Sequence, residues 1–276
     1  RLICTRIQPD GFLIGIDQDS DAIRHARGVL APLCPRFSLH HDSFSHLDRI
    51  LRDLGVAGVD GILLDLGLSL HQLTKSGRGF SFQRDEPLDM RMDAGAAMTA
   101  ADILNGWSAG ALERIFRAYG EERRARPLAR AIVKARSRKP LVSSKALADL
   151  IYRATSPGAA RRQKIHPATR VFQALRIAVN RELQRLEKTL PVAVDWLNPG
   201  GRLCVLSFHS LEDRIVKQRF REMARTCTCP PRAPVCTCRT EARVTVLTRR
   251  VVRPTAAEIA ANPMARSTRL RAVEKR

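Results

Sequence analysis

Aromatic side chains are scarce in this chain: 9 Phe, 2 Trp and 2 Tyr stand among 276 residues. Stacking platforms for single-stranded bases are therefore few. No apolar run is long enough to span a bilayer, and no charged, apolar and small-residue succession of a secretory leader stands in the chain. A membrane partner is excluded on that reading, and a cytoplasmic location is expected. Acidic residues are also few, 27 against 48 Lys and Arg, for a net charge of +21. A cation of that size suits a polyanion, and without membrane features the polyanion is nucleic acid. Charge alone says nothing of sequence specificity, because phosphate contacts position a partner without reading it.

Apolar residues make up 44% of the chain, enough for a full core and for one or two domains. The seven cysteines fall into two groups. Cys4, Cys34 and Cys204 lie in apolar contexts and read as small core residues. Cys227, Cys229, Cys236 and Cys238 form two Cys-Thr-Cys pairs around a gap holding Pro230, Pro231 and Pro234. Structural zinc sites usually space each ligand pair two to four residues apart, not one. A stiff surface loop of free thiols is the favoured reading, with zinc the minority one, and no metal centre is expected.

Three apolar strands alternate with helical patterns in the first part of the chain. Phe12–Ile16 closes on Asp17, Arg36–His40 ends near Asp42, and Val59–Leu64 closes on Asp65. Near-continuous apolar strands separated by helices imply a parallel sheet covered on both faces. One terminal Asp is a common helix cap; three in succession point to a shared crevice. Residues 67–99 lack any steady period and read as a long loop at a strand's carboxyl end, where loops are more often functional. Helical periodicity then runs from Thr99 to about Asn180, dense in cations around Arg123–Lys139, which reads as an RNA-facing surface. A longer helix is expected from Arg170 to about Leu190, with Phe172, Leu175, Val179, Leu183 and Leu186 as its buried stripe.

Asn198-Pro199-Gly200-Gly201 turns the chain into a strand that ends at Ser207-Phe208-His209-Ser210-Leu211-Glu212-Asp213. Titratable and hydrogen-bonding groups thus sit just past a strand's carboxyl end, where open α/β sheets bind ligands. Part of that pattern is a helix start, with Ser210 as cap and Glu212 and Asp213 favouring the dipole. Residues 244–248 and 268–273 are the last expected strands. The domain organisation is a sheet domain over 1–99 and 181–276, interrupted by a helical insertion over 100–180.

Asp17, at the end of an early strand, fits a carboxylate that accepts both hydroxyls of a ribose. A dinucleotide would also need a Gly-rich phosphate turn, and the chain has none. S-adenosylmethionine (SAM) carries ribose and adenine without phosphate. The residues alone lead to an adenosine-type cofactor on a basic α/β protein.

Nine segments resemble the family of the bacterial small-subunit ribosomal RNA methyltransferase H, a cytosine N4-methyltransferase. They are GIDQD at 15–19, VDGILLDLGLS at 59–69, RGFSF at 78–82, PLDMRMD at 87–93, YGEER at 119–123, HPATRVFQALRIAVN at 166–180, PGGRL at 199–203, SFHSLEDRIVK at 207–217 and NPMARSTRLR at 262–271. They cover nearly the whole chain in family order. The resemblance implies an α/β, Rossmann-like SAM-dependent methyltransferase sheet with a helical insertion domain. It implies methylation of the exocyclic N4 amine of a cytidine in the decoding region of 16S rRNA, with SAM as cofactor. The partner is then 16S rRNA or the small ribosomal subunit, with no DNA expected.

By position, the resemblance makes Asp17, Phe44, Asp65 and Gln72 cofactor contacts, with Asp17 on the ribose and Phe44 beside the adenine. His71 departs from the family's usual Pro. Cytosine N4 is a poor nucleophile because its lone pair is delocalised, so an acceptor on its N–H groups is needed. Asp65 is the first candidate. His209, Ser210 and Glu212 are further candidates for holding the base or its phosphate, with helix-start and loop roles as the alternatives. Arg170, Gln173 and Arg176 share a helix face and are candidate rRNA contacts, though Gln173 can equally pack between domains. The family's Gly-rich cofactor loop and first strand have no counterpart here, so an amino-terminally truncated sequence is expected. A non-catalytic RNA-binding or ribosome-assembly factor, or a methyltransferase acting on another RNA or on a protein amine, are the competing readings.

Overall fold

The computed structural model describes residues 2–155, 165–227, 229, 235, 237, 238 and 240–276. The chain divides into two compact units, one of residues 1–67 with 183–276 and one of 68–182.

The first unit carries the sheets. Strand β1 (Leu13–Asp17) pairs in parallel with β2 (Phe37–His41), across helix α2 (Ser20–Leu30), which follows the short α1 (Leu2–Ile7). The side chain of Asp19, almost fully buried, caps α2. A second sheet has the order β3-β4-β6-β5. In it β3 (Val59–Asp65) runs parallel to β4 (Leu197–Ser207), and β6 (Arg269–Lys275) lies antiparallel between β4 and β5 (Val244–Val246). The two sheets share no ladder among the described residues. Leu63 on the edge strand β3 is accordingly 49% exposed.

The expected strands appear within a residue or two of their sequence positions, except that β4 begins at Leu197 rather than near Arg202 and takes in Asn198-Pro199-Gly200-Gly201, which the sequence pattern read as a turn. Asp17 and Asp65 are the last residues of β1 and β3. Asp42 follows β2 directly, its N–H donating to the Asp17 carbonyl at 3.0 Å. Helix α3 (Leu47–Asp53) turns Leu47 and Leu51 into a core shared with Leu190, Val205, Phe220 and Val273.

The second unit is helical: α4 (Leu70–Thr74), α5 (Ala100–Gly106), α6 (Ala109–Ala118), α7 (Ala125–Arg136), α8 (Ser144–Ala154) and α9 (Ala168–Asn180). Thr99, Ser108 and Ser143 each cap the helix that follows, as their hydroxyls predict. Its compact unit begins at Leu68, not near residue 100 as the sequence pattern placed it. The reason is in the aperiodic stretch: Phe80, Leu88, Met90 and Met92 are buried in the helical core, with Leu104, Phe116 and Leu175.

That stretch is held by backbone geometry and polar clamps rather than by secondary structure. Gly79 has φ +69°, and a Cβ there would lie 2.2 Å from the Pro87 carbonyl oxygen. Asn180 donates to the Met90 carbonyl and accepts from the Met92 N–H, both at 2.8 Å. A buried aperiodic segment needs such partners for its backbone groups.

The single long helix expected over 170–190 is two. Arg181 adopts a left-handed conformation (φ 50°, ψ 35°) and ends α9; α10 (Glu182–Trp196) starts anew. The Arg176 guanidinium grips Glu182 through two bonds of 2.8 and 2.9 Å across the break. The periodicity passes through because apolar spacing reports buried faces, not the one residue whose φ changes sign. Helix α11 (Ser210–Met223) and the short α12 (Ala256–Ala261) complete the chain.

Candidate active site

In the first unit the carboxyl ends of β3 and β4 lie side by side. Asp65 is in register with Leu206, and the Leu66 N–H donates to the Leu206 carbonyl at 3.1 Å. The turn after β3 therefore runs next to Ser207-Phe208-His209-Ser210. Gly67, at φ +92°, makes this approach possible: a Cβ would meet the Phe208 ring at 3.0 Å.

Asp65 is open to solvent at the end of β3. Loss of hydration and, secondarily, the Glu212 charge push its carboxyl above the ordinary carboxylate range. Glu212 is 2% exposed. Its carboxylate accepts from the Phe208 N–H at 2.8 Å and the His209 N–H at 3.3 Å. In return His209 Nδ1 accepts from the Glu212 N–H at 3.4 Å, a reciprocal cap at the start of α11. His209 Nε2 is buried without a hydrogen-bond partner of good geometry, 3.1 Å from Glu212 Oε1.

Two sequence assignments shift here. The cap of α11 is His209, not Ser210, which is the first helical residue. Asp213 is not only a helix-start charge: it binds Arg271 Nε at 2.6 Å and lies 3.6 Å from Arg269 Nη1, tying β6 to α11.

At the end of β1, Asp17 is exposed and accepts from the Asp19 N–H at 2.8 Å. Beyond β2, Asp42 bonds His46 at 2.6 Å and pairs with Arg49. Burial raises its carboxyl, but bonds from His46 and the Ser43 N–H, with the nearby cations, outweigh it and hold Asp42 low. These bonds fix the 3₁₀ turn Phe44–His46, whose first residue carries a half-buried ring packed on the sheet core. An exposed carboxylate at one strand end and an aromatic ring after the next form a donor set suited to a ribose and its adenine. An Asp42 that sequence reasoning gave no role of its own is what anchors that turn; its signal was its place among the three strand-end Asp residues.

In the helical unit, Gln72 is buried and closes a capping box with Ser69 at 3.0 and 3.1 Å. Gln173 donates to the Tyr119 carbonyl at 2.9 Å, so it packs within this unit rather than between domains. Arg176 is only 13% exposed and is held by Glu182, while Arg170 lies 3.8 Å from buried Glu122. These partners make Arg176 and Gln173 parts of the unit's frame. The exposed cations are elsewhere: Arg126, Arg130 and Lys134 stand at four-residue spacing along one face of α7, all exposed.

Parallel strand pairs, with Asp17 and Asp65 at the carboxyl ends of β1 and β3, in a mixed α/β fold are the build of a Rossmann-like methyltransferase. The chain belongs to the MraW methylase family, whose model matches residues 2–276. It is 57% identical over 265 residues to the "Ribosomal RNA small subunit methyltransferase H" of Desulforapulum autotrophicum, covering 96% of this chain and 85% of that one. To the protein of the same name from Syntrophotalea carbinolica it is 53% identical over 275 residues, 100% and 87% of the two chains. Among the described residues no helix is long and apolar enough to cross a membrane.

Proposed function

We propose that this chain uses SAM to methylate the exocyclic N4 amine of a cytidine in 16S rRNA. The relatives named for a small-subunit rRNA methyltransferase support the substrate, as does the +21 charge. The observation that carries the chemistry is Asp65, open to solvent at the end of β3 beside the turn after β4.

Asp17 accepts the ribose hydroxyls and Phe44 covers the adenine face. Gln72 enters as a cofactor contact through the family resemblance alone, its side-chain oxygen being engaged in the cap of α4. Bound there, SAM supplies an electrophilic methyl group. The Asp65 carboxylate accepts an N–H of the cytosine amine, drawing its lone pair out of the ring, and takes up the proton the amine sheds on methylation. Ser210, at the open start of α11, orients the base or its phosphate. His209 and Glu212 are positioning residues, since their bonds are spent on the turn that faces Asp65.

Calorimetric titration with SAM, paired with methyl transfer to small subunits and to naked 16S rRNA, tests this reading. Micromolar binding lost in Asp17→Ala, with label on a cytidine of the rRNA, supports it. Label on protein, or on another RNA, would move the substrate while keeping the chemistry.

A further inference from the structure

The loop between α11 and β5 closes at its base through the Arg243 N–H and the Met223 carbonyl, 2.8 Å apart. That pinch brings the two Cys-Thr-Cys arms of the sequence against each other. The sulfurs of Cys227, Cys229 and Cys238 all lie within 4.8 Å of one another. Cys227 Sγ and Cys238 Sγ are 3.6 Å apart. That is far beyond the about 2.05 Å of a disulfide. It is close to the edge of a tetrahedron of thiolates around zinc, about 3.8 Å when each Zn–S bond is about 2.3 Å.

The one-residue spacing that argued against zinc is suited to this geometry. In extended backbone, residues i and i+2 project to the same side. On that spacing Cys227 and Cys229 present both thiols to Cys238, which comes from the other arm. Backbone N–H groups of Cys238 and Thr237 donate to the Cys229 sulfur, as they do to a ligated thiolate. The loop sequence adds Arg225, Arg232, Arg239 and Arg243, cations that offset the net negative charge of a zinc–thiolate centre. Cys236 is the fourth thiol of the two arms and lies outside the described residues.

We propose that Cys227, Cys229 and Cys238 are ligands of a structural zinc ion that ties these three positions together. Thiolate-rich sites hold structural zinc, and none of the three sulfurs belongs to the residues assigned to SAM or the cytosine, so the ion is a staple and not part of the methyl transfer. Sequence reasoning favoured free thiols; the convergence of three sulfurs from two arms is what it did not contain.

The test uses the full chain, purified without chelator and freed of any affinity tag. Zinc is measured by atomic emission while a mercurial reagent titrates the thiols. The expected result is about one zinc per chain, released in step with thiol modification, and absent from Cys227→Ser/Cys238→Ser. Reduced, metal-free protein given cobalt should show the intense thiolate-to-cobalt charge-transfer absorption of a tetrahedral site. The proposal is overturned by protein that carries no zinc and, after reduction, takes up neither zinc nor cobalt. Zinc retained in full by the folded double variant also overturns it. If that variant does not fold, the release stoichiometry and cobalt spectrum of the wild-type chain decide alone.

Discussion

Loss of hydration and, secondarily, the charge of buried Glu212 push the Asp65 carboxyl at the end of β3 above the ordinary carboxylate range. Glu212 cannot relax away, because the Phe208 and His209 N–H groups hold it at 2.8 and 3.3 Å. A carboxyl raised in this way binds a proton more tightly than an ordinary Asp, which suits a group that must take a proton from an amine.

Asp65→Asn should therefore separate chemistry from folding. The amide keeps the shape but loses the charge that accepts and then holds the amine proton. Methyl transfer should fall by on the order of 10²-fold or more. Stability should move the other way. A carboxyl whose folded pKa lies above its unfolded one contributes stability below the unfolded pKa, and that contribution is lost as pH rises through the folded pKa. At neutral pH the wild-type chain carries the cost of ionising Asp65 and the variant does not. A thermal melt at pH 7 should show the variant equal to or above wild type. An active Asp65→Asn chain would remove Asp65 from the reaction.

Glu212→Gln should shift the acid limb of the pH–rate profile. The reaction needs ionised Asp65, so activity falls as pH drops through its raised pKa. Removing the Glu212 charge leaves desolvation in place and deletes the second cause, moving the limb to lower pH. Single-turnover rates across pH 4–8, with SAM saturating, read the limb directly (a range set by about one to three units around ordinary carboxylates). A purely structural Glu212 would lower the rate evenly across pH and leave the limb where it was.

Asn180→Ala tests how the aperiodic stretch is held. The substitution leaves the Met90 carbonyl and the Met92 N–H without their partner in a buried setting, Met90 being 0% exposed. Each buried orphan costs about 1–3 kcal/mol, so a loss of about 2–6 kcal/mol in urea unfolding is expected. A loss under about 0.5 kcal/mol would mean that water or a shifted backbone replaces both bonds.

Such a residue also marks the limit of what the sequence discloses. The strands β1 to β3 were legible because each is an apolar run closed by Asp. The role of residues 78–92 was not: its burial depends on Asn180, about ninety positions away, and on one glycine with φ +69°. Nor was the break at Arg181, since a left-handed residue leaves no mark on hydrophobic spacing. Arg176 and Gln173 looked like ligand contacts because their helix face was visible but their partners, Glu182 and the Tyr119 carbonyl, were not. A cation's type and spacing locate a face; only the acid opposite it decides whether the face is open.

That distinction sets the last prediction. Arg126, Arg130 and Lys134 lie exposed along α7 and have no ion pair among the described residues, whereas Arg176 is held by Glu182. Replacing the three exposed cations by Ala should weaken rRNA or small-subunit binding and flatten its salt dependence. The slope of log K against log salt should lose about 2 to 3 units, since each phosphate contact contributes about 0.7–0.9. SAM affinity should be unchanged, because none of the three belongs to the unit that carries Asp17, Phe44 and Asp65. Arg176→Ala should do the opposite: little change in salt slope, but a loss of stability from leaving Glu182 without its partner. Binding measured by filter retention at several salt concentrations, beside urea melts of the same variants, separates the two. Equal salt slopes for the triple variant and wild type would mean that the rRNA meets another face of the protein.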